Sequence, residues 1–209
     1  MGRLFGIKPE HNFQFTRQWF LNRNLETFRS RVMPVWQGKP ITYVELGVFE
    51  GLSMVWMRQH VLTHPQSRAI GIDPWLMTRK LSGEYMEAVR ARAEHNLRIY
   101  PNCKLIRGNS AEVLRRMYRG FEGIKRRRID VCLIDGGHYE LLVLDDARNC
   151  LELVKPGGWI IFDDVVNDKT KSAHVRQALD TFLAGAGDRV KFLWKHRYVE
   201  TYEVVQRSM

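Results

Sequence analysis

Asp135 closes the apolar run IDVCLID, and the adjacent Asp163 and Asp164 close GGWIIFDD. Runs this short and this apolar read as strands buried on both faces, so their carboxyl ends place three acidic side chains where an open α/β sheet binds its ligands. Clustered carboxylates raise one another's pKa and call for a counter-charge. A hard divalent cation supplies one. All-oxygen ligation suits Mg²⁺, with Mn²⁺ or Ca²⁺ compatible, and such an ion lowers the pKa of a hydroxyl and orients its oxygen. A neighbouring Lys or Arg is the alternative. His138, three residues beyond Asp135 at a predicted helix start, titrates near neutrality and is the candidate general base. Acids at strand ends also cap helices, and a histidine there also binds a backbone carbonyl, so both structural readings stand beside the chemical ones.

A second constellation lies earlier, in Glu45-Leu46-Gly47-Val48-Phe49-Glu50-Gly51-Leu52-Ser53. This reads as a strand-to-helix turn whose glycines let backbone approach a ligand. A dinucleotide fingerprint would want glycine at 49 and 52, where this chain has Phe49 and Leu52, so a pyrophosphate is disfavoured. Asp73 ends the next strand, placed to accept hydrogen bonds from ribose hydroxyls or, before Pro74, to cap a turn. Beyond the third strand, Asn109 is the better ligand candidate, while Ser110 either caps the following helix or contacts an adenine. Trp75 walls the nucleoside pocket or packs in the core. Asp145 and Asp146 fall along a predicted helix and read as solvated or paired with Arg148 or Lys155; no chemistry is assigned to them.

The elements that carry these residues alternate. ITYVEL, RAIGID, CKLIR, IDVCLID and GWIIFDD read as strands, separated by helical SMVWMRQHVLTH, GEYMEAVRARAEHNLRIY, AEVLRRMY and LLVLDDARNCLELV. A further helix places Val175, Leu179, Phe182 and Leu183 on one face, and VKFLWKHRYVETYEVVQ closes as two strands about a short turn. This pattern predicts an α/β fold: a Rossmann-like, doubly wound, seven-stranded and mostly parallel sheet with a C-terminal antiparallel hairpin. Residues 1–40 form an N-terminal helical extension to the domain at 41–209. Within the extension, Phe13, Phe20, Leu21, Leu25, Phe28 and Val32 predict an amphipathic helix over 13–32, followed by a loop at Pro34, Gly38 and Pro40.

The 209 residues, 44% hydrophobic, suffice for one substantial core. No apolar run approaches the roughly 20 residues of a membrane span, the amino terminus lacks a secretory pattern, and Gly6 stands where a myristoylation signal wants Ser or Thr. A soluble, cytoplasmic protein is expected. Cys103, Cys132 and Cys150 read as free thiols in a reducing compartment, not a zinc site. The net charge of +10 keeps a nucleic-acid partner open without favouring it. Residues 1–40 carry seven Lys or Arg against two acids, whereas 41–167 are nearly balanced, with 18 against 16. The dense run Lys125–Arg128 reads as a solvated loop. A homo-oligomer is compatible with all of this.

Four motifs in order, ELGVFEG, GIDPW, LIDGGH and KPGGWIIFDD, together resemble the class I S-adenosylmethionine-dependent methyltransferases. The resemblance is to the group with an IDGxH-like fourth strand and a fifth ending in Asp-Asp, similar to Mg²⁺-dependent catechol and sugar O-methyltransferases. It spans about 41–167, and FTRQWFLNRN looks like the helix that often precedes such domains. The resemblance implies that Glu45, Gly47 and Gly51 contact the methionine part of S-adenosylmethionine and that Asp73 holds its ribose. Ser53, Asn109 and Ser110 complete the candidate cofactor set. It implies Mg²⁺ at Asp135, Asp163 and Asp164, with His138 as base beside Asp135. The expected reaction is O-methylation of a hydroxyl on a small molecule or sugar. An RNA-binding or RNA-modifying protein of the same fold and a nicotinamide-dependent oxidoreductase are the alternatives. Specificity is expected from the N-terminal helix and the loops after the fourth and fifth strands.

Overall fold

The structure, a computed structural model, describes residues 6–77, 81–165 and 173–206. Seven strands form one sheet: β1 Thr42–Leu46, β2 Arg68–Asp73, β3 Cys103–Arg107, β4 Ile129–Ile134, β5 Val154–Phe162, β6 Val190–His196 and β7 Val199–Val204. Their spatial order is β3-β2-β1-β4-β5-β7-β6. The first five pair in parallel, and β7 pairs antiparallel with both β5 and β6. The predicted topology, hairpin included, is the observed one.

Alternation along each strand sends successive side chains to opposite faces, and both faces are covered. Val44, Leu46, Cys132, Ile134, Ile160 and Phe162 pack on one side against helices α6 Ser110–Tyr118, α7 Glu140–Leu153 and α8 Ala173–Ala186. Tyr43, Val131, Leu133, Trp159 and Ile161 pack on the other against α4 Leu52–His60, α5 Gly83–Leu97 and the N-terminal segment.

That segment departs from the single predicted helix. It consists of α1 Trp19–Arg23, α2 Leu25–Thr27, a wider π turn over Phe28–Val32 and α3 Met33–Trp36. Pro34 lies in the first turn of α3 and does not open a loop, because a first-turn position has no intrahelical N–H bond to lose. Residues 13–18 are not helical. Glu50 accepts hydrogen bonds from the Thr16 backbone (2.6 Å) and hydroxyl (2.7 Å), and Asn96 accepts one from the Gln14 backbone (2.7 Å). These tertiary bonds hold the stretch open where apolar spacing alone suggests a helix. Phe20 and Phe28 meet edge to face at 5.1 Å and cluster with Trp56, fastening the segment to α4.

Candidate active site

Strand order reverses between β1 and β4, and a crevice outside the carboxyl ends of such strands is where open α/β sheets bind ligands. Register brings the site residues together there. Ile134 pairs with Leu46 on one side and Phe162 on the other, so Asp135 and Asp163 emerge next to each other. Hydrogen bonds beyond the strand ends, from Asp135 N–H to Leu46 O at 2.8 Å and from Asp163 N–H to Ile134 O at 3.1 Å, keep them level. A cavity of about 510 Å³ opens above.

Gly47 (φ +89°) supports the closest approach in the molecule's turn. A Cβ there would lie 2.1 Å from the Asp135 carbonyl oxygen, so no larger residue fits. The turn that follows is held by Asp73, whose Oδ2 accepts from the Val48 (2.9 Å) and Phe49 (3.0 Å) backbones while Oδ1 accepts from Trp75 N–H (2.7 Å). A carboxylate has about four acceptor sites, so Asp73 retains capacity toward the cavity it lines. Trp75 is core: it is buried, and its indole N–H donates to Phe49 O at 3.0 Å. Phe49 and Asp164, which line the cavity, and Trp75, which follows the cavity-lining Pro74, are three of the six described non-glycine residues with positive φ.

Of the candidate cofactor residues, Gly47, Ser53, Asp73, Asn109 and Ser110 line the cavity. Glu45 and Gly51 do not. Glu45 lies fully buried behind the wall, accepting hydrogen bonds from Tyr43 (2.6 Å) and Ser53 (2.5 Å), and burial pushes its carboxyl up to about 7. It orients Ser53 and makes no direct approach. Gly51, left-handed at φ +78°, adjoins Leu97, where an added Cβ would lie 3.0 Å from a side-chain methyl. The helix cap is Asn109, whose Oδ1 accepts from Glu112 N–H at 3.2 Å; Ser110 does not serve as the cap. Asp146 also lines the cavity, contrary to its expected solvation, because α7 packs against α6 and turns that face inward. It pairs with neither Arg148 nor Lys155; the latter reaches Asp130.

The acidic cluster holds two basic partners. His138 Nε2 lies 3.0 Å from Asp164 Oδ2, and Arg23 lies 2.6 Å from Asp164 Oδ1. Burial favours the neutral form of Asp164, but the hydrogen bonds and charges of His138 and Arg23 prevail and draw its pKa below the carboxylate range. His138 rises in turn, chiefly through its bond to Asp164. Asp135 is pushed well up by burial and by the charges of Asp163 and Asp164, and it shares a hydrogen bond with Asp163. Asp163, raised by burial and by Asp164, accepts from the Asn24 amide and from Asp164 N–H at 2.7 Å. Even with His138 protonated, three carboxylates face two cations. One excess negative charge remains for a shared proton or a bound ion to neutralise.

One ligand atom each from Asp135, His138 and Asp164 lies within 4.8 Å of the others, a span that two metal–ligand bonds of about 2.0–2.6 Å can bridge. The donors fit a divalent cation. Asp163 falls outside this cluster, its carboxylate turned to Asn24, which leaves Asp135 and Asp164 as the candidate ligands and His138 as the group beside them. Arg23, Asn24, Glu50 and Asp146 had no sequence signal as site residues. Arg23 and Asn24 come from the polar side of an amphipathic segment, and Asn24 meets its partner across 139 residues. The expected specificity loop after β5 lies largely outside the described residues, since 166–172 are not among them.

The sheet order and its crevice define a doubly wound α/β fold with a ligand cavity at the strand switch point, and comparison places it. A family model described as a methyltransferase domain matches residues 44–165, and the chain belongs to that family. An uncharacterized protein of Acanthamoeba polyphaga mimivirus is 31% identical over 150 residues, covering 69% of this chain; the chain spans 60% of that relative's length. Among solved structures, a Clostridium thermocellum protein named as an rRNA methylase matches with a TM-score of 0.64 at 12% identity, covering 93% of this chain and 100% of that one. The MycE methyltransferase of mycinamycin biosynthesis, in complex with Mg, SAH and mycinamycin VI, matches with a TM-score of 0.58 at 18% identity, covering 93% of this chain and 51% of that one. Among the described residues, no helix is long and apolar enough to cross a membrane.

Proposed function

We propose that this chain transfers the methyl group of S-adenosylmethionine to a hydroxyl of a small molecule or sugar, with a divalent cation, Mg²⁺ by its oxygen donors, held at Asp135 and Asp164. The observation that carries the reading is the convergence of Asp135, His138 and Asp164 at a cavity also lined by Gly47, Asp73 and Asn109. The MycE complex, with Mg and SAH on the same fold, supports it.

Transfer from a sulfonium is an in-line displacement, so the acceptor oxygen must be aligned and deprotonated. A bound cation would supply Lewis acidity, lowering the hydroxyl pKa. His138 accepts the proton, and Asp164 stabilises the imidazolium that results. Arg23 and Asn24 fix the two adjacent acids, and Asp73 holds the glycine turn against the cofactor while offering an acceptor to ribose. Phe49 and Leu52 fill the cavity wall where a dinucleotide site would have glycine, which disfavours the nicotinamide alternative.

An RNA acceptor is the second reading, supported by the net charge and the rRNA-methylase likeness. The dense Lys125–Arg128 run argues against it: these exposed residues immediately precede β4, at the end of the sheet opposite the cavity. Methyl-labelled S-adenosylmethionine supplied with sugars, phenols and total RNA, with and without a chelator, tests both. Label entering a hydroxyl compound only without chelator supports the proposal, while chelator-insensitive labelling of RNA overturns it.

A further inference from the structure

Arg23 is shared between two cavities. One holds the acidic cluster; the other, of about 490 Å³, is lined by Asn22, Arg23, Arg197 and Tyr198. The proposed chemistry uses the first and gives the second no task. Their charges are opposite. Three carboxylates stand in the first, whereas the second has two guanidinium groups, an amide and a phenol, with no acid among its described lining residues. Arg197 has no ion pair or side-chain hydrogen bond among the described residues. Arg23 meets Asp164 through one terminal nitrogen, which leaves other N–H donors of its guanidinium for a ligand.

The backbone presents Arg197 in an uncommon way. His196 pairs with Val199, so Arg197 and Tyr198 form a two-residue hairpin turn, and Arg197 takes its first position at φ +55°. Glycine or asparagine is the usual occupant of such a left-handed position, because a Cβ is strained there. Turn chemistry alone does not explain a long cationic side chain. The turn is also fixed beside the acidic cluster. Tyr198 O accepts from the N–H of Val165, the residue after Asp164, at 2.7 Å, and His196 Nδ1 shares a hydrogen bond of 2.6 Å with Thr27 Oγ1. The Arg23 guanidinium lies over the Tyr198 ring, 4.5 Å from its centre.

Guanidinium forks match the oxygens of phosphates and carboxylates. Two of them with the Asn22 amide and the Tyr198 hydroxyl offer more donors than the two oxygens of a carboxylate can use. A phosphate ester brings three oxygens and a charge of about −1.5 to −2, which balances the two arginines. We infer that the methyl acceptor is a phosphate ester, such as a sugar phosphate, whose hydroxyl enters the acidic cavity while its phosphate lies in the second, held by Arg197. The inference rests on the methyl-transfer reading and names the class of acceptor for it.

Inorganic phosphate is the probe, followed by phosphorus nuclear magnetic resonance in the metal-free S-adenosylhomocysteine complex. Wild type should bind it saturably, with acetate displacing it about 10-fold less effectively or worse. Arg197→Gly should weaken phosphate binding by about 10-fold or more, while S-adenosylhomocysteine affinity and melting temperature hold, since glycine suits the turn. Arg128→Gln removes the same charge at the opposite end of the sheet and should change phosphate affinity by no more than about 2-fold. Absence of saturable binding, an equal loss in the two variants, or full affinity in Arg197→Gly overturns the inference. So does a marked loss of stability in Arg197→Gly, which would make the arginine structural, and equal competition by acetate, which would assign the cavity to carboxylates. Any compound that takes label from S-adenosylmethionine should lose that capacity after phosphatase treatment; labelling that survives overturns the inference and leaves methyl transfer standing. Failure of wild type to bind S-adenosylhomocysteine removes the methyl-transfer reading itself, and is seen before phosphate is added.

Discussion

The Arg23 guanidinium sits 2.6 Å from Asp164 Oδ1 and 4.5 Å from the centre of the Tyr198 ring, so the N-terminal segment supplies the acidic cluster with a built-in cation. Two consequences follow from one contact. Arg23 relieves repulsion among Asp135, Asp163 and Asp164 in the ion-free protein, and it competes with an incoming ion for Asp164.

Arg23→Gln should therefore tighten Mg²⁺ binding by about 3- to 10-fold while lowering ion-free stability by no more than about 1 kcal/mol, since the arginine is partly solvated. Calorimetry and urea melts read the two effects separately. Weaker Mg²⁺ binding in the variant would show that Arg23 organises the site instead of competing for it.

His138→Ala should leave S-adenosylhomocysteine affinity intact and reduce turnover by about 10²-fold or more, the usual worth of a positioned base. Single-turnover rates with any acceptor found by the labelling assay provide the check. Unchanged turnover would remove His138 from the chemistry.

Gly47→Ala places a methyl on a residue at φ +89° and drives it into the Asp135 carbonyl, 2.1 Å away. The β1 and β4 ends would have to separate, and we expect a loss of about 2 kcal/mol or more together with weakened cofactor binding. Thermal denaturation with and without S-adenosylhomocysteine measures both. A variant as stable as wild type would contradict the close approach.

Glu45 makes a pH signature. Its folded-state pKa of about 7 lies above the 4.5 of an ordinary glutamate, so between those values the folded protein keeps a proton that the unfolded chain has lost. Stability should fall as pH rises through this window, by up to about 3 kcal/mol from this group, and level off above it. Glu45→Gln, neutral throughout, should flatten that decline. It should not abolish it, because Asp135 and Asp163 are shifted in the same direction and remain. Urea melts from pH 4.5 to 8 give the comparison; parallel curves for the two proteins would argue against a protonated Glu45.

Much of this site was legible because it lies at strand ends. Apolar runs such as IDVCLID announce buried parallel strands, and the acids that terminate them are placed by register, which depends on the backbone ladder and not on distant side chains. Asp73 and Gly47 were readable for the same reason. Glu45 was not: one residue before the β1 end, alternation turns it to the face packed against α4, where it bonds Ser53 behind the cavity wall. Asp146 was missed because two adjacent acids on a helix look solvated until the neighbouring helix is known. The break of the N-terminal helix before Trp19 depends on Glu50 and Asn96, partners 34 and 82 residues away, which no local periodicity reports.

The account's central claim, a cation at Asp135 and Asp164 beside the cofactor, is most directly tested with Mn²⁺ as a paramagnetic probe, titrated into the S-adenosylhomocysteine complex and followed by electron paramagnetic resonance. Wild type should bind one ion saturably, and Asp164→Asn should lose about tenfold or more in affinity. Absence of binding to wild type, or full affinity in the variant, would contradict it.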